Sequence, residues 1–174
     1  MIKIGIIGPN SSMCSEELFS FGIELGKSIA KKERIFICGG YGGFMEAVCK
    51  GIKESQCIFF GQTIGILTED NIVGVNPHVD IAIPTGIGIA RNIIIINTAE
   101  IIIAAGGGAG TLSELAFAWQ KNKKVLCVEQ FDGWAKKLAN KSIDIRYSDL
   151  LVGVNSTKQI NNIIDEHVKR FNAS

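Results

Sequence analysis

The feature that most constrains this chain is a recurrence. Short runs rich in Ile, Val, Phe and Cys, near-continuous rather than alternating with polar residues, are each followed by a longer helical pattern. The runs are IKIGIIG (2–8), RIFICGG (34–40), TIGIL (63–67), DIAIPT (80–85), EIIIAAG (100–106) and KVLCVE (124–129), with IDIRY (143–147) as a weaker last strand. Apolar runs of this length are strands buried on both faces, the habit of parallel sheets. Helical patterns lie near 15–32, 43–55, 87–98, 110–122, 132–140 and 156–172. Ser15 is placed to cap the first of them, with Glu16 and Glu17 in its first turn, where the helix dipole favours acids. The alternation predicts an α/β fold: a doubly wound, mainly parallel sheet of about seven strands with helices on both faces.

No repeat or linker interrupts the pattern, so residues 1–174 are expected to form one domain. A formal net charge of +1 offers no broad attraction to nucleic acid or to an anionic membrane. The opening MIKIGIIG runs straight into a strand pattern, so no leader is expected. The most apolar region, 86–105, is broken by Arg91, Asn92, Asn97 and Glu100 and makes a poor membrane span. Five cysteines never form a CxxC pair. They read as reduced thiols of a cytoplasmic protein, with no metal site and no resident cofactor expected.

Ligands of open parallel sheets bind outside the carboxyl ends of the strands, and the unusual residues of this chain collect there. GPNSS (8–12), with Ser11 and Ser12, follows the first strand. The second ends in CGGYGGFMEAV (38–48), with Gly39, Gly40, Gly42 and Gly43. Thr85 and Gly86 follow the fourth, and GGGAGTLSE (106–114) follows the fifth, with Gly107, Gly108, Gly110 and Thr111. Glycine turns that open a helix leave backbone N–H groups and a positive helix end facing outward, a setting for phosphate. Neither the P-loop pattern nor GxGxxG after the first strand is present.

Arg91 lies near the start of IARNIIIINTA, a helix apolar almost all round. An arginine in such surroundings needs an anion, and such a helix needs more protein to cover it. Glu114 has two readings. Thr111 and Glu114 are spaced as a capping box, S/T-x-x-E, which makes the glutamate structural; alternatively it faces the ligand. His78 belongs to a turn and His167 to a polar helix, Trp119 and Trp134 to packing, and Tyr41 stands where it could cover a ligand ring.

GGGAGTLSE resembles the PGGxGTxxE motif of the LONELY GUY phosphoribohydrolases, an older "lysine decarboxylase" group. Gly107, Gly108, Gly110, Thr111 and Glu114 match, while Gly106 stands at the family's proline. The family's arginine–lysine pair is similar to Arg91–Asn92, with the lysine replaced. CGGYGGFMEAV, NPHVDIAIPTG and ARN look closer to short proteins similar to molybdenum-cofactor carrier protein. The resemblance covers residues 1 to about 130. It implies a Rossmann-like homodimer or higher homo-oligomer that binds a nucleoside 5′-monophosphate or a phosphorylated pterin. In the hydrolases the matching Arg91 and Glu114 carry N-glycosidic bond cleavage; the missing lysine removes one charge from that machinery. A non-catalytic carrier or sensor is the alternative the resemblance implies.

Overall fold

The computed structural model describes residues 1–172, with side chains to Lys169. Seven strands form one sheet: β1 Ile2–Ile7, β2 Arg34–Cys38, β3 Thr63–Leu67, β4 Ile81–Pro84, β5 Ile101–Ala105, β6 Lys124–Val128 and β7 Leu151–Val154. Their order is β4-β3-β2-β1-β5-β6-β7, and every adjacent pair is parallel. Helices α1 Glu16–Ile29, α2 Phe44–Lys53, α3 Asn92–Thr98, α4 Ala109–Gln120, α5 Trp134–Leu138 and α6 Thr157–Asn172 lie on its two faces. This is the expected doubly wound, Rossmann-like α/β fold.

The two faces make two cores. One joins Ile4, Ile6, Phe36 and Ile103 to Leu25 of α1, Val48 of α2 and Ile160 and Ile164 of α6. The other joins Ile37, Ile102 and Val125 to Ile95 and Ile96 of α3 and Leu115 and Trp119 of α4. Strands β1, β5 and β6 are apolar without alternation because both faces are covered. Trp119 is a core residue, 1% exposed. Ser15 caps α1, its hydroxyl accepting from the Leu18 N–H at 3.2 Å.

The last strand is not IDIRY. Asp144 accepts from the Trp119 indole at 2.9 Å and from the backbone N–H of Arg146 at 3.0 Å, which folds 143–147 into a turn. Ile145 consequently points fully into solvent. The strand is LVGV, four residues long, and its glycine gives room to Glu129 and Asn140 alongside. The pattern at 87–98 also divides. Gly86 and Gly88 have φ of +66° and +58°, so the chain enters a 3-10 turn at Gly88–Arg91 before α3 begins.

Fully buried Arg34, the first residue of β2, ties α6 to the sheet. Its guanidinium donates to the Ile29 carbonyl at 2.8 Å and to Asn161 Oδ1 at 2.7 Å, and it ion-pairs with Asp165, which also meets Lys31 at 2.7 Å. Among the described residues no helix is long and apolar enough to cross a membrane.

The candidate functional site, a cavity at the switch point of the sheet

Strand order reverses between β1 and β5: the next strand after β1 lies on one side and the strand after β5 on the other. The loops leaving these two strands diverge and open a crevice. A cavity of about 230 Å³ occupies it. Its walls are the β1 loop (Gly8, Pro9, Asn10, Met13), the α4 start (Gly108 to Thr111), Thr68 after β3, and Ile89, Arg91, Asn92 and Glu114.

The α4 wall is built by glycine. Leu112 N–H donates to Gly108 O at 3.0 Å, so Gly108 is the N-cap, and the N–H groups of Ala109, Gly110 and Thr111 have no acceptor within the helix. The positive end of α4 therefore opens on the cavity. The carbonyls of Gly106 and Gly107 accept from Ala135 and Trp134 N–H, both at 3.0 Å, which ties the turn to α5. Gly106 has φ +56°, which a proline ring cannot adopt, so this turn differs in backbone from one that begins with proline.

The capping-box reading of Glu114 does not hold. Thr111 is the third residue inside α4 rather than its cap, and Gly108 has no side chain to exchange with a glutamate. Glu114 is instead 6% exposed on the cavity wall, and burial pushes its carboxyl up to about 7 against the opposing pull of Arg91.

Arg91 ends the 3-10 turn before α3 and reaches the base of the cavity, 8% exposed. Its Nε and Nη1 are buried with no hydrogen-bond partner. Burial lowers its pKa, while Glu114 and Cys38 favour its charge. Two buried donors left open cost free energy unless something accepts from them. Beside it, Asn92 donates to Ser113 Oγ at 3.2 Å, and Ser113 donates to Gly110 O at 2.7 Å. That relay fixes the first turn of α4 to α3.

The structure thus brings Arg91, Gly108, Gly110, Thr111 and Glu114 onto one cavity. The other predicted residues stand behind it or on its rim. A Cβ on Gly39 would meet the Arg91 guanidinium at 2.4 Å, so Gly39 is its floor. Gly43 presses on the backbone of Pro9 and Asn10, and Gly42 on the Ser11 hydroxyl. Ser12 donates to Asn10 Oδ1 at 2.8 Å. Gly40 is held by Asn76, whose Nδ2 donates to the Gly40 and Tyr41 carbonyls at 3.1 Å each. Gly107 packs on Thr111. Thr85 donates to Leu67 O at 2.6 Å, and Gly86 N–H to Glu69 O at 3.1 Å, outside the cavity.

Sequence reasoning did not single out Pro9, Asn10, Met13, Met45, Thr68 or Ile89. For Pro9, Asn10 and Thr68 a signal existed: each follows the carboxyl end of a strand. Met13, Met45 and Ile89 carry none, because an apolar residue looks the same on a cavity wall as in a core. Tyr41 hydrogen-bonds Thr68 Oγ1 at 3.1 Å and so positions a wall residue. His78 takes part in a turn, its carbonyl accepting from Thr63 at 2.8 Å.

The model of the SLOG cluster4 family matches residues 1–161. The chain belongs to the SLOG cluster4 family. An uncharacterized protein of Archaeoglobus fulgidus is 38% identical over 125 residues, 72% of this chain and 78% of that protein. Among solved structures, the molybdenum cofactor binding protein of the phototrophic bacterium Rippkaea orientalis is 30% identical with a TM-score of 0.80, over 96% of this chain and 97% of that one. The molybdenum cofactor carrier protein of Chlamydomonas reinhardtii is 29% identical with a TM-score of 0.81, over 97% and 99%. This chain and the two solved structures share the fold across nearly their whole lengths.

Proposed function

We propose that one Rossmann-like domain, residues 1–174, holds a phosphorylated, nucleotide-like small molecule of the molybdenum-cofactor class and does not turn it over. The observation that carries this is the pair of open buried donors on Arg91, set in one cavity with the three free N–H groups of the α4 start. Arginine and a helix N-terminus converging on one small volume recognise a phosphate monoester. Likeness to two proteins named for molybdenum cofactor supports a phosphorylated pterin over a plain nucleotide. Five cysteines with no disulfide among them support a cytoplasmic setting, and the resemblance to the family supports a homodimer or higher homo-oligomer as the working form.

A second reading, hydrolysis of a nucleoside 5′-monophosphate to free base and ribose 5-phosphate, is favoured by Arg91 and Glu114 sharing one cavity. Its weakness is chemical. A carboxyl that titrates near 7 is half neutral at neutral pH, so it offers a ribosyl cation only part of a charge. Asn92, which stands where the hydrolases have lysine, adds no charge. The Asn92 amide, and a Glu114 carboxyl that donates one O–H when protonated, suit the polar edge of a heterocycle instead.

The test incubates the protein with molybdenum cofactor and, separately, with a panel of nucleoside monophosphates, following retained ligand and released base. The carrier reading expects the cofactor to be retained and no base to be released. Free base with ribose 5-phosphate, formed over many turnovers, would establish the hydrolase reading.

A further inference from the structure

Two of the five cysteines meet in the core directly behind the site. Cys38 is the last residue of β2, and Cys49 lies on the face of α2 that packs against the sheet. Their sulfurs are 3.9 Å apart. Met45 stands one turn before Cys49 on the same helix face. Its Sδ accepts from the Gly39 N–H at 3.3 Å, and Cys38 Sγ accepts from the Gly40 N–H at 3.3 Å. Gly39 and Gly40 are buried, and Gly39 is the floor on which the Arg91 guanidinium rests. Both N–H groups of that turn are therefore held by sulfur rather than by oxygen.

The two thiols are not equivalent. The Cys49 S–H, the Gly40 N–H and the Arg91 charge all favour a thiolate on Cys38 and hold it below the usual thiol range, the Cys49 hydrogen bond most. The same hydrogen bond, together with burial, pushes Cys49 up. One sulfur is thus the better nucleophile, and a second thiol stands in contact with it to resolve what it forms. Cys127 makes the contrast: it lies in the core on the other face of the sheet, and burial pushes its thiol up to about 12. The route to the pair runs through the cavity, whose walls include Met45 and Arg91. Cys38 lies one residue behind the floor of that arginine. An empty cavity brings a small oxidant close to Cys38, and a bound ligand fills the same space.

We propose that Cys38 and Cys49 are a redox-modification site, a dithiol that hydrogen peroxide closes to a disulfide when the cavity is empty. The Cys38 thiolate, its proton released, attacks one peroxide oxygen. The O–O bond breaks, the sulfur becomes a sulfenic acid, and the other oxygen leaves as hydroxide and takes up a proton to give water. Cys49 then loses its proton and attacks the Cys38 sulfur. The S–S bond forms, the S–O bond breaks, and the departing hydroxide takes that proton as a second water. Two thiols are oxidised by two electrons in all, and one peroxide is reduced to two waters. A disulfide bond is about 2.05 Å long, so the sulfurs must close by roughly 2 Å. Cys38 Sγ then turns from the buried Gly40 N–H toward α2, and the floor beneath Arg91 shifts with it. That coupling to the ligand rests on the phosphate reading of Arg91; the dithiol does not.

The experiment treats the reduced protein with equimolar hydrogen peroxide, with and without adenosine monophosphate, blocks the remaining thiols under denaturing conditions and maps the peptides by mass. The parent is expected to fall from five free thiols to three, with one linked peptide joining Cys38 to Cys49 that dithiothreitol releases. Cys127→Ala is expected to form the same link, and Cys49→Ala to form none. Saturating nucleotide should slow the link, and the linked protein should bind adenosine monophosphate about fivefold or more weakly than the reduced one. Five thiols still free, or a link between other cysteines, overturns the proposal, and the parent alone shows either even if Cys49→Ala does not fold. A link that forms at one rate with the cavity filled or empty, or that leaves the affinity unchanged, overturns the coupling to Arg91. A reduced parent that does not bind the nucleotide sinks the phosphate reading instead, and the linked peptide then decides the dithiol by itself.

Discussion

The Arg91 guanidinium rests directly over Gly39, so close that a Cβ there would lie 2.4 Å from Nη2 and 2.5 Å from Nη1. The glycine-rich turn after β2 therefore serves the site at one remove, by giving the arginine a place to lie. Gly39→Ala needs no unusual backbone, but it must push the guanidinium off its floor. Because an arginine–phosphate contact depends on the geometry of its fork, roughly tenfold weaker binding of adenosine monophosphate is expected, in a protein that still folds. Calorimetric titration of parent and variant checks this, and equal affinities would detach Gly39 from the arginine's role.

Gly110 offers a substitution whose effects on stability and binding go in opposite directions. It lies inside α4, lines the cavity, and a Cβ there would meet nothing within 4 Å. Gly110→Leu should stabilise the fold by up to about 1 kcal/mol through helix propensity. The same side chain fills space beside the free N–H groups and should abolish binding of a monophosphate. Thermal unfolding and ligand titration on one sample separate the two effects. A variant that binds normally would place the anion elsewhere.

Glu114 makes stability depend on pH. Its folded pKa, about 7, stands above the ordinary 4.5 because burial penalises the charged form. The folded state therefore holds a proton that the unfolded chain releases. The contribution is complete below 4.5 and is lost as pH rises through about 7, worth about 3 kcal/mol in all. Glu114→Gln removes this slope, so the variant should gain on the parent as pH rises. Urea unfolding of both proteins at about pH 5 and about pH 8 measures it. An incoming phosphate opposes ionisation of Glu114, so ligand affinity of the parent should also fall as pH rises through this range.

Asp165→Ala tests the attachment of α6. It leaves the fully buried Arg34 without its carboxylate, while the bonds to Ile29 O and Asn161 remain. Arg34 is buried but Asp165 is 34% exposed, so the loss is expected on the order of 1–3 kcal/mol, below that of a fully buried pair. The loss should appear as a lower unfolding midpoint, with monophosphate binding unchanged because the cluster lies at the amino-terminal end of β2, away from the cavity. An unchanged midpoint would show that the apolar contacts of Ile160 and Ile164 hold α6 by themselves.

The sequence by itself determined the class of fold. Six of the seven strands and the order of helices between them followed from apolar runs, because a strand buried on both faces has no polar positions to hide its periodicity. It also determined where to look: glycine turns at strand ends, with Arg91 and Glu114 beside them. It missed β7 because LVGV is four residues long and contains a glycine, while IDIRY carried β-type residues that Asp144 bends into a turn through Trp119 and Arg146. Tertiary structure alone decided where Glu114 and the glycines sit. The spacing from Thr111 to Glu114 fits a capping box in any isolated helix. The helix starts three residues earlier, however, with Gly108 as its cap, and the turn at Gly106 and Gly107 before it is anchored to α5 by residues 134 and 135. Likewise nothing local marks Gly39 as the floor of Arg91 or Thr68 as a wall of the cavity. Those contacts join residues from different strands, and parallel pairing brings such strands together only once the whole sheet has formed.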